Sequence, residues 1–284
     1  MSMNHLVGET YSKRLFVFYI PLFIFVFAMI FPFIWMLITS IKTDAELYNR
    51  RISPFLVRDP TLEHWDFLFN DTLFVQWVWN TLWVACASTA VSLFAGVLGG
   101  YALSRLMFPG STIFSIWIFI TYLVPPALLF IPLTGVMSFL GLNDSRFSLV
   151  FTYPTFLVPF CIWLLIGYFS TIPKELEECA RIDGATRIQA MVKIVFPLAI
   201  PGILSAGIFA FTLSWNEFLY ALVFLSSPEN KTVPVGVTGE LILGDVFFWG
   251  PLMAGALFGS VPIAIVYSFF VEHYVSGMTG AVKG

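Results

Sequence analysis

The chain has 284 residues, of which 58% are hydrophobic and 11% are charged, and its formal net charge is −3. A soluble domain carries about 25% charged residues, so this composition excludes a surface that faces water on every side. It predicts an integral membrane protein, for which we expect no nucleic-acid partner.

Uncharged windows long enough to cross a membrane follow one another along most of the chain. A helix needs about 20 apolar residues to cross the hydrocarbon core, whereas strands of a membrane barrel are shorter and alternate polar with apolar residues. The sequence therefore predicts an all-α membrane protein with a single transmembrane domain over residues 1–284. Its six spans are expected at about 15–41, 76–101, 112–134, 147–170, 199–225 and 250–272.

The first window follows Lys13 and Arg14 and lacks a small-residue cleavage site, which is typical of an uncleaved helix rather than a signal peptide. Basic residues predict the orientation, because they are enriched in short cytoplasmic loops. With the N-terminus inside, the cytoplasmic segments hold eight Lys and Arg residues, and the outer segments other than the long 42–75 loop hold two. We therefore expect both termini in the cytoplasm and outer loops at 42–75, 141–146 and 226–249.

Tryptophans cluster near the predicted outer boundary, at Trp65, Trp77, Trp79, Trp83 and Trp249. Amphipathic rings favour the headgroup layer of a membrane, so an interfacial belt is the favoured interpretation. Stacking of these rings against a sugar is the alternative.

Glycines and prolines mark special positions inside the spans. Gly96 with Gly100, and Gly255 with Gly259, form small-x-x-x-small pairs that predict close approach of helices. Prolines interrupt the third and fourth spans, where helix breaks either line a cavity or pack against other helices. Both interpretations, gating helices beside a pathway and simple packing kinks, stay open for Pro125, Pro126, Pro132, Pro154 and Pro159.

A highly charged segment at 171–198 separates the fourth and fifth spans and predicts two short helices. Gly184 suits a tight turn between them, Asp183 could cap a second helix that begins near Ala185, and Pro197 and Pro201 are expected to end it. Residues 174–193 hold four basic and four acidic side chains. That balance suits a protein partner better than anionic lipid, which prefers a basic patch; an ordinary solvated loop is the alternative.

An acidic residue, Glu217, lies in the apolar stretch TLSWNEFLYAL. Ionisable groups in spans tend to face water-filled interiors. Measured along a span that begins near Ala199, however, Glu217 would lie about 27 Å from the start, close to the outer surface of the membrane. It is therefore either an interfacial carboxylate in water or a contact for a polar solute. The candidate solute contacts are Asn216, Glu217 and Tyr220, with Asn80 and Tyr153 as weaker ones.

The spacing of the charged segment resembles the EAA loop of ATP-binding-cassette importer permeases. Their pattern is Glu-Ala-Ala, three residues, Gly, nine residues, then Ile-x-Leu-Pro, and this chain has Glu178-Cys179-Ala180, Gly184 and Ile194-Val195-Phe196-Pro197. Cys179 and Phe196 depart from the pattern by small or apolar exchanges. The stretches ARIDGAT, SWNEFLYAL and SGMTGAVKG are similar to the shorter, six-span permease of carbohydrate importers of the maltose-transporter type.

The resemblance implies a type I importer permease in a bacterial inner membrane, with a two-helix coupling loop that docks on an ATPase. Its implied coupling residues are Glu178, Cys179, Ala180, Asp183, Gly184, Arg187, Ile194 and Pro197. A tail of Gly280, Lys283 and Gly284 would also contact the ATPases. The implied partners are a second permease forming a heterodimer, two ATPase subunits, an external solute-binding protein, a carbohydrate and membrane lipid.

The chain itself lacks a phosphate-binding G-x-x-x-x-G-K-[ST] loop. We therefore expect no enzyme activity and no cofactor in it, with ATP and Mg bound by the partner ATPase. Scattered cysteines and histidines predict no metal site. An ion-coupled secondary transporter of a small polar solute is the alternative, but it would show charges at the membrane midplane or repeated halves, and neither is visible.

Overall fold

The computed structural model describes residues 14–49, 51–106 and 108–280, and of residues 270–280 it describes the backbone. Their contacts divide into two compact units. The first holds the described residues up to Thr72 together with Leu241–Phe258, and the second holds Leu73–Glu240 with the described residues from Gly259 onward. The single transmembrane domain over residues 1–284 stays a prediction.

The first unit begins with a long apolar helix, α1. It comprises a π-helical turn, Leu15–Tyr19, and an α-helix, Ile20–Ser40, whose buried side chains are Thr39 and Ser40 at its end. An apolar helix exposed on all sides requires lipid or another protein chain around it. The remaining elements are the single-turn helices α2 (Asp44–Leu47) and α3 (Glu63–Asp66), a π-helical turn Phe67–Asp71, and an antiparallel hairpin of β1 (Ile242–Leu243) and β2 (Val246–Phe247).

The second unit is built from helices around a central one, α4. In chain order the helices that follow the first unit's are α4 (Phe74–Arg105), α5 (Ser111–Leu123), α6 (Pro126–Phe139), α7 (Arg146–Thr152), α8 (Pro154–Thr171), α9 (Glu175–Ile182), α10 (Arg187–Trp215), α11 (Leu219–Phe224), α12 (Val233–Leu241) and α13 (Trp249–Gly280). A single 3₁₀ turn, Pro228–Asn230, precedes α12. Of these, α12 and α13 each cross the division between the units.

Small residues let α4 pack closely on its neighbours. A Cβ atom on Gly96 would lie 2.5 Å from the Cβ of Cys161 in α8, and one on Gly100 would lie 2.9 Å from the Cβ of Leu165. These distances are too short for carbon atoms in van der Waals contact. The prediction that Gly96 and Gly100 form a packing pair is confirmed.

Five of the described helices are long and apolar enough to cross a membrane, and α5 with α6 makes a sixth if the bent pair counts as one span. The five are Leu15–Ser40, Phe74–Arg105, Arg146–Thr171, Arg187–Trp215 and Trp249–Phe269. The prediction of an all-α membrane protein is confirmed.

The third span, predicted at 112–134 with breaks at its prolines, is broken into two helices. The helix α5 ends at Leu123, α6 begins at Pro126, and the two are bent by 94°. The cause is the Pro125-Pro126 pair, because a residue before proline is restricted to extended conformations, and both Val124 and Pro125 have extended ψ angles. By contrast, Pro132 and Pro159 lie inside continuous helices, and Pro154 begins α8.

The fifth span is also shifted. It was predicted at 199–225, but α10 runs from Arg187 to Trp215 and α11 is separate. The prediction that Pro197 and Pro201 end the second helix of the charged segment is wrong. A π-helical turn, Met191–Val195, shifts the hydrogen-bond register just before Pro197, which then lies in the first turn of the α-helical part Phe196–Trp215. There the missing N–H of proline costs little.

Candidate coupling loop and translocation path

The charged segment folds as the predicted pair of helices joined by a turn at Asp183-Gly184. Gly184 has a φ of +91°, in the left-handed region. The turn satisfies the last carbonyls of α9, because the N–H groups of Asp183, Gly184 and Ala185 donate to Cys179, Arg181 and Ala180. This arrangement is a glycine-terminated helix end.

The second helix has a different cap from the one predicted. Asp183 was expected to cap it, but α10 begins at Arg187 after Thr186. The Thr186 hydroxyl accepts from the N–H of Gln189 at 3.3 Å, and the Gln189 side chain accepts from the N–H of Thr186 at 2.8 Å. This is a capping box. Its Thr-x-x-Gln signature is legible in the sequence and was overlooked.

The loop carries large apolar side chains on its surface among charged ones. Ile182 is 84% exposed and Ile188 is 70% exposed. Of the predicted coupling residues, Ala180 and Ile194 are half-buried, and the exposed ones are Glu178, Cys179, Asp183, Gly184, Arg187 and Pro197. Apolar side chains exposed within a polar rim are typical of a protein interaction site.

Side chains from the end of α4 tie the loop to the helices. The Tyr101 hydroxyl donates to the Glu177 carboxylate at the start of α9. The Arg105 guanidinium donates to the carbonyls of Phe169 at 2.6 Å and Ile172 at 2.5 Å, at the end of α8. A cation at a helix C-terminus also complements the helix dipole. These residues carry no local signal in the sequence, because their partners lie more than 60 positions away.

Three of the predicted solute contacts form one network. Glu217 Oε1 accepts from the N–H of Tyr220 at 2.8 Å, and Oε2 accepts from the N–H of Ala221 at 3.1 Å and from the Tyr153 hydroxyl at 2.9 Å. The carboxylate therefore caps α11 and holds Tyr153, the residue between α7 and α8. The Tyr220 hydroxyl donates to the carbonyl of Pro126 at 3.1 Å, at the bend of the third span.

The environment of this network differs from the expectation of a carboxylate standing free in water. Glu217 is half-buried, and Tyr153 and Tyr220 are fully buried. Asn216 lies beside Glu217 in the chain and has an exposed side chain, whose amide donates to the carbonyl of Thr212. Asn216 is thus the most accessible member of the predicted set.

Asn80 holds a loop instead of facing a path. Its buried amide donates to the carbonyls of Glu229 at 2.8 Å and Lys231 at 2.9 Å, and its oxygen accepts from Arg146 at 2.8 Å. Both amide hydrogens are therefore engaged by the protein. The prediction of a solute contact at Asn80 is not supported by this geometry.

Asp144 fixes the same loop from the neighbouring turn. Its carboxylate accepts from the N–H groups of Ser226 and Ser227 and from the Ser227 hydroxyl. Burial raises the pKa of Asp144, but the hydrogen bonds from Ser227 and Ser226 outweigh burial and hold the pKa below its ordinary value. The segment 226–231 is thus held by residues near the starts of α4 and α7.

The predicted tail contact falls largely outside the described residues. Gly280 is the last residue of α13, and Lys283 and Gly284 lie beyond the part of the chain that the structure describes. Within the described ranges, no three His, Cys, Asp or Glu residues are grouped closely enough to hold a metal ion.

Comparison with known proteins shows that the chain is similar to transport proteins. Residues 92–280 match the family described as "Binding-protein-dependent transport system inner membrane component". The inner membrane ABC transporter permease protein YcjP of Escherichia coli is 38% identical, over 94% of this chain and 96% of that protein. The sulfoquinovosyl glycerol transport system permease protein SmoH of Agrobacterium fabrum is 40% identical, over 90% of this chain and 89% of that protein.

A solved structure has the same fold. It belongs to a bacterial ABC transporter involved in the import of the acidic polysaccharide alginate, and the matching chain is 26% identical with a TM-score of 0.77. The match covers 93% of this chain and 98% of that chain.

Proposed function

The chain belongs to the family of inner-membrane components of binding-protein-dependent transport systems, and on that premise we propose that it imports a carbohydrate or a related polar solute as one permease of an ATP-driven complex. The observation that carries the proposal is the loop of α9 and α10. It exposes Ile182 and Ile188 to a partner, while Tyr101 fastens α9 to α4 and Arg105 joins α4 to the end of α8, where the loop begins. A loop built in this way can pass a force from a docked protein into the helices.

The docked protein is, in this proposal, one subunit of a cytoplasmic ATPase pair. ATP and Mg bind there, and this chain hydrolyses nothing itself. The exposed residues from Glu178 to Arg187 form the seat, with Ala180 beneath them, and Ile194 and Pro197 lie in the part of α10 that moves with the seat. Gly280, Lys283 and Gly284 form a second contact with the ATPases.

The other partners follow from the remaining exposed surfaces. The apolar helix α1 and the other exposed helices adjoin membrane lipid and a second permease, with which this chain forms a heterodimer. Both termini lie in the cytoplasm, and the segments at 42–75 and 226–249 meet an external solute-binding protein. Relatives named for sulfoquinovosyl glycerol and for alginate support a carbohydrate as the solute.

Reconstitution tests the proposal. Co-expressed with its ATPase and second-permease partners, the chain should purify as a complex whose ATPase rate rises when the solute-loaded binding protein is added. Solute uptake into proteoliposomes should stop when ATP is withdrawn and continue when ion gradients are collapsed. Uptake that follows an ion gradient without ATP would instead establish a secondary transporter.

Within this proposal Asn216 contacts the solute, and Glu217, Tyr153 and Tyr220 hold its surroundings in place. Asn216→Ala should raise the KM for uptake about three- to tenfold, because one hydrogen bond contributes roughly 0.5–1.5 kcal/mol. The matched control is Asn143→Ala, which removes another exposed asparagine whose amide is bonded to Ser138. Equal KM values for the two variants would remove Asn216 from the path.

A further inference from the structure

The first unit contains a cavity with a volume of about 300 Å³ that has no ligand assigned to it above, although part of its lining comes from the segments 42–75 and 226–249. That volume is at the lower end of the range for small-molecule sites, about 300–1,000 Å³. The cavity is lined by Trp35, Thr39, Lys42, Leu47, Tyr48, Pro54, Trp249 and Met253. It therefore combines aromatic rings with a hydroxyl and an ammonium group.

The charge on Lys42 is buried without an acidic partner. Its side chain belongs to a residue that is 3% exposed, and its ammonium donates to the carbonyl of Pro54 at 2.8 Å and weakly to that of Ser53 at 3.5 Å. Among the described residues no carboxylate lies within 4 Å of it. Glu46 is also buried; its Oε1 accepts from the N–H of Arg58, and its Oε2 has no hydrogen-bond partner among the described residues.

This arrangement leaves room for an anion. An ammonium group has three hydrogens to donate, and neutral carbonyls take two of them here. Burying a charge is costly unless it is paired. An oxyanion in the cavity would accept the remaining hydrogen and compensate the charge.

The aromatic walls are fixed before any ligand binds. The Tyr48 hydroxyl donates to the carbonyl of Phe247 at 2.8 Å, and the Trp249 ring stacks on Phe247 with centroids 5.0 Å apart. Trp35 meets Phe55 edge-on at 5.6 Å. Walls held in this way lose little conformational entropy on binding, which favours affinity.

We propose that this cavity binds an oxyanion carried by a compact polar ligand. Lys42 is the counter-ion, the Thr39 hydroxyl is a further hydrogen-bonding group, and the rings of Trp35, Tyr48 and Trp249 contact the body of the ligand. Two sources share this chemistry: the phosphate of a phospholipid headgroup, and the acidic group of a soluble sugar acid. Binding of either ligand in this cavity does not require ATP hydrolysis.

The test uses the whole complex and two probes. Phosphatidylglycerol retention is measured by native mass spectrometry of the complex from nanodiscs, and D-glucuronate binding is measured by equilibrium dialysis in a maltoside detergent, which carries no phosphate. For the probe that occupies the site, Lys42→Met should weaken binding at least tenfold, and Lys42→Arg should preserve it. The matched control is Lys231→Met, since Lys231 is another lysine and already pairs with Glu240 at 2.8 Å.

The two arms identify the source. Lys42-dependent retention of phosphatidylglycerol alone identifies a lipid site, and Lys42-dependent binding of glucuronate that phosphatidylglycerol does not displace identifies a sugar-acid site. The inference is overturned if neither probe depends on Lys42, or if D-glucose, which carries no anionic group, binds as well as D-glucuronate. A complex that transports solute but fails this test contradicts the anion site alone and leaves the proposed function standing.

Discussion

Gly184→Pro is expected to reduce ATP-driven uptake at least tenfold while the complex still assembles. Proline fixes φ near −65°, whereas Gly184 has a φ of +91°, so the turn between α9 and α10 must adopt a different path. Proline also removes the N–H that donates to the carbonyl of Arg181. The seat for the ATPase would then point in a different direction from the helices it drives.

Uptake and ATP hydrolysis are measured on the same proteoliposomes to separate coupling from folding. The matched control is Gly184→Asn, because asparagine tolerates the left-handed region far better than proline, and nothing lies within 4 Å of a Cβ placed there. The Asn variant should keep most of the uptake. Full uptake by the Pro variant would show that this turn does not carry the coupling. The charge reversal Glu178→Lys should likewise uncouple ATP hydrolysis from solute uptake.

Gly96→Leu is expected to prevent the permease from folding, so that little folded protein accumulates in the membrane. Even the Cβ of the new side chain would lie 2.5 Å from the Cβ of Cys161, so α4 and α8 would have to separate. Overpacking of a core typically costs about 1–3 kcal/mol, and a leucine that splits two helices lies at the upper end. The measurements are the amount of protein in the membrane and its thermal unfolding in detergent.

A smaller substitution gives the cleaner comparison. Alanine is favoured over glycine inside a helix by about 0.5–1 kcal/mol, so Gly167→Ala in α8, where a Cβ would meet nothing within 4 Å, should be neutral or stabilising. Gly96→Ala should instead destabilise. Adding Cys161→Gly to Gly96→Ala should recover part of the loss, because it removes the opposing Cβ, and a double-mutant cycle measures that coupling. Equal effects at Gly96 and Gly167 would contradict the packing.

The spans and the coupling loop were predictable because their signals are local. Apolar windows, the Asp183-Gly184 turn and the Gly96–Gly100 spacing each depend on residues close together in sequence. The break of the third span was also signalled locally, by Pro125-Pro126, but the sequence did not give the size of the bend between the two helices. Thr186 and Gln189 were legible as a capping box and were overlooked because Asp183 offered a competing cap.

The side-chain network around the loop and the path was not predictable in the same way. The bonds from Tyr101 to Glu177 and from Tyr153 to Glu217 join residues 76 and 64 positions apart. Asn80 illustrates the consequence, since an amide in an apolar window suggests a solute contact until its carbonyl partners in the segment 226–231 are known. Only the tertiary structure shows which polar side chains are hydrogen-bonded within the fold and which are free to contact a solute.

Because α10 is continuous, the coupling loop lies at one of its ends and Asn216 at the other. Its 29 residues give a length of about 43 Å at about 1.5 Å per residue, and Asn216 directly follows its last residue. A tilt of about 10° around the midpoint moves each end by about 4 Å, in opposite directions, by the geometry of a rigid rod. If the proposed function holds, a pull by the ATPase on the Arg187 end would move the Asn216 end in the opposite direction, so tilting this one helix could open one side of the path as it closes the other.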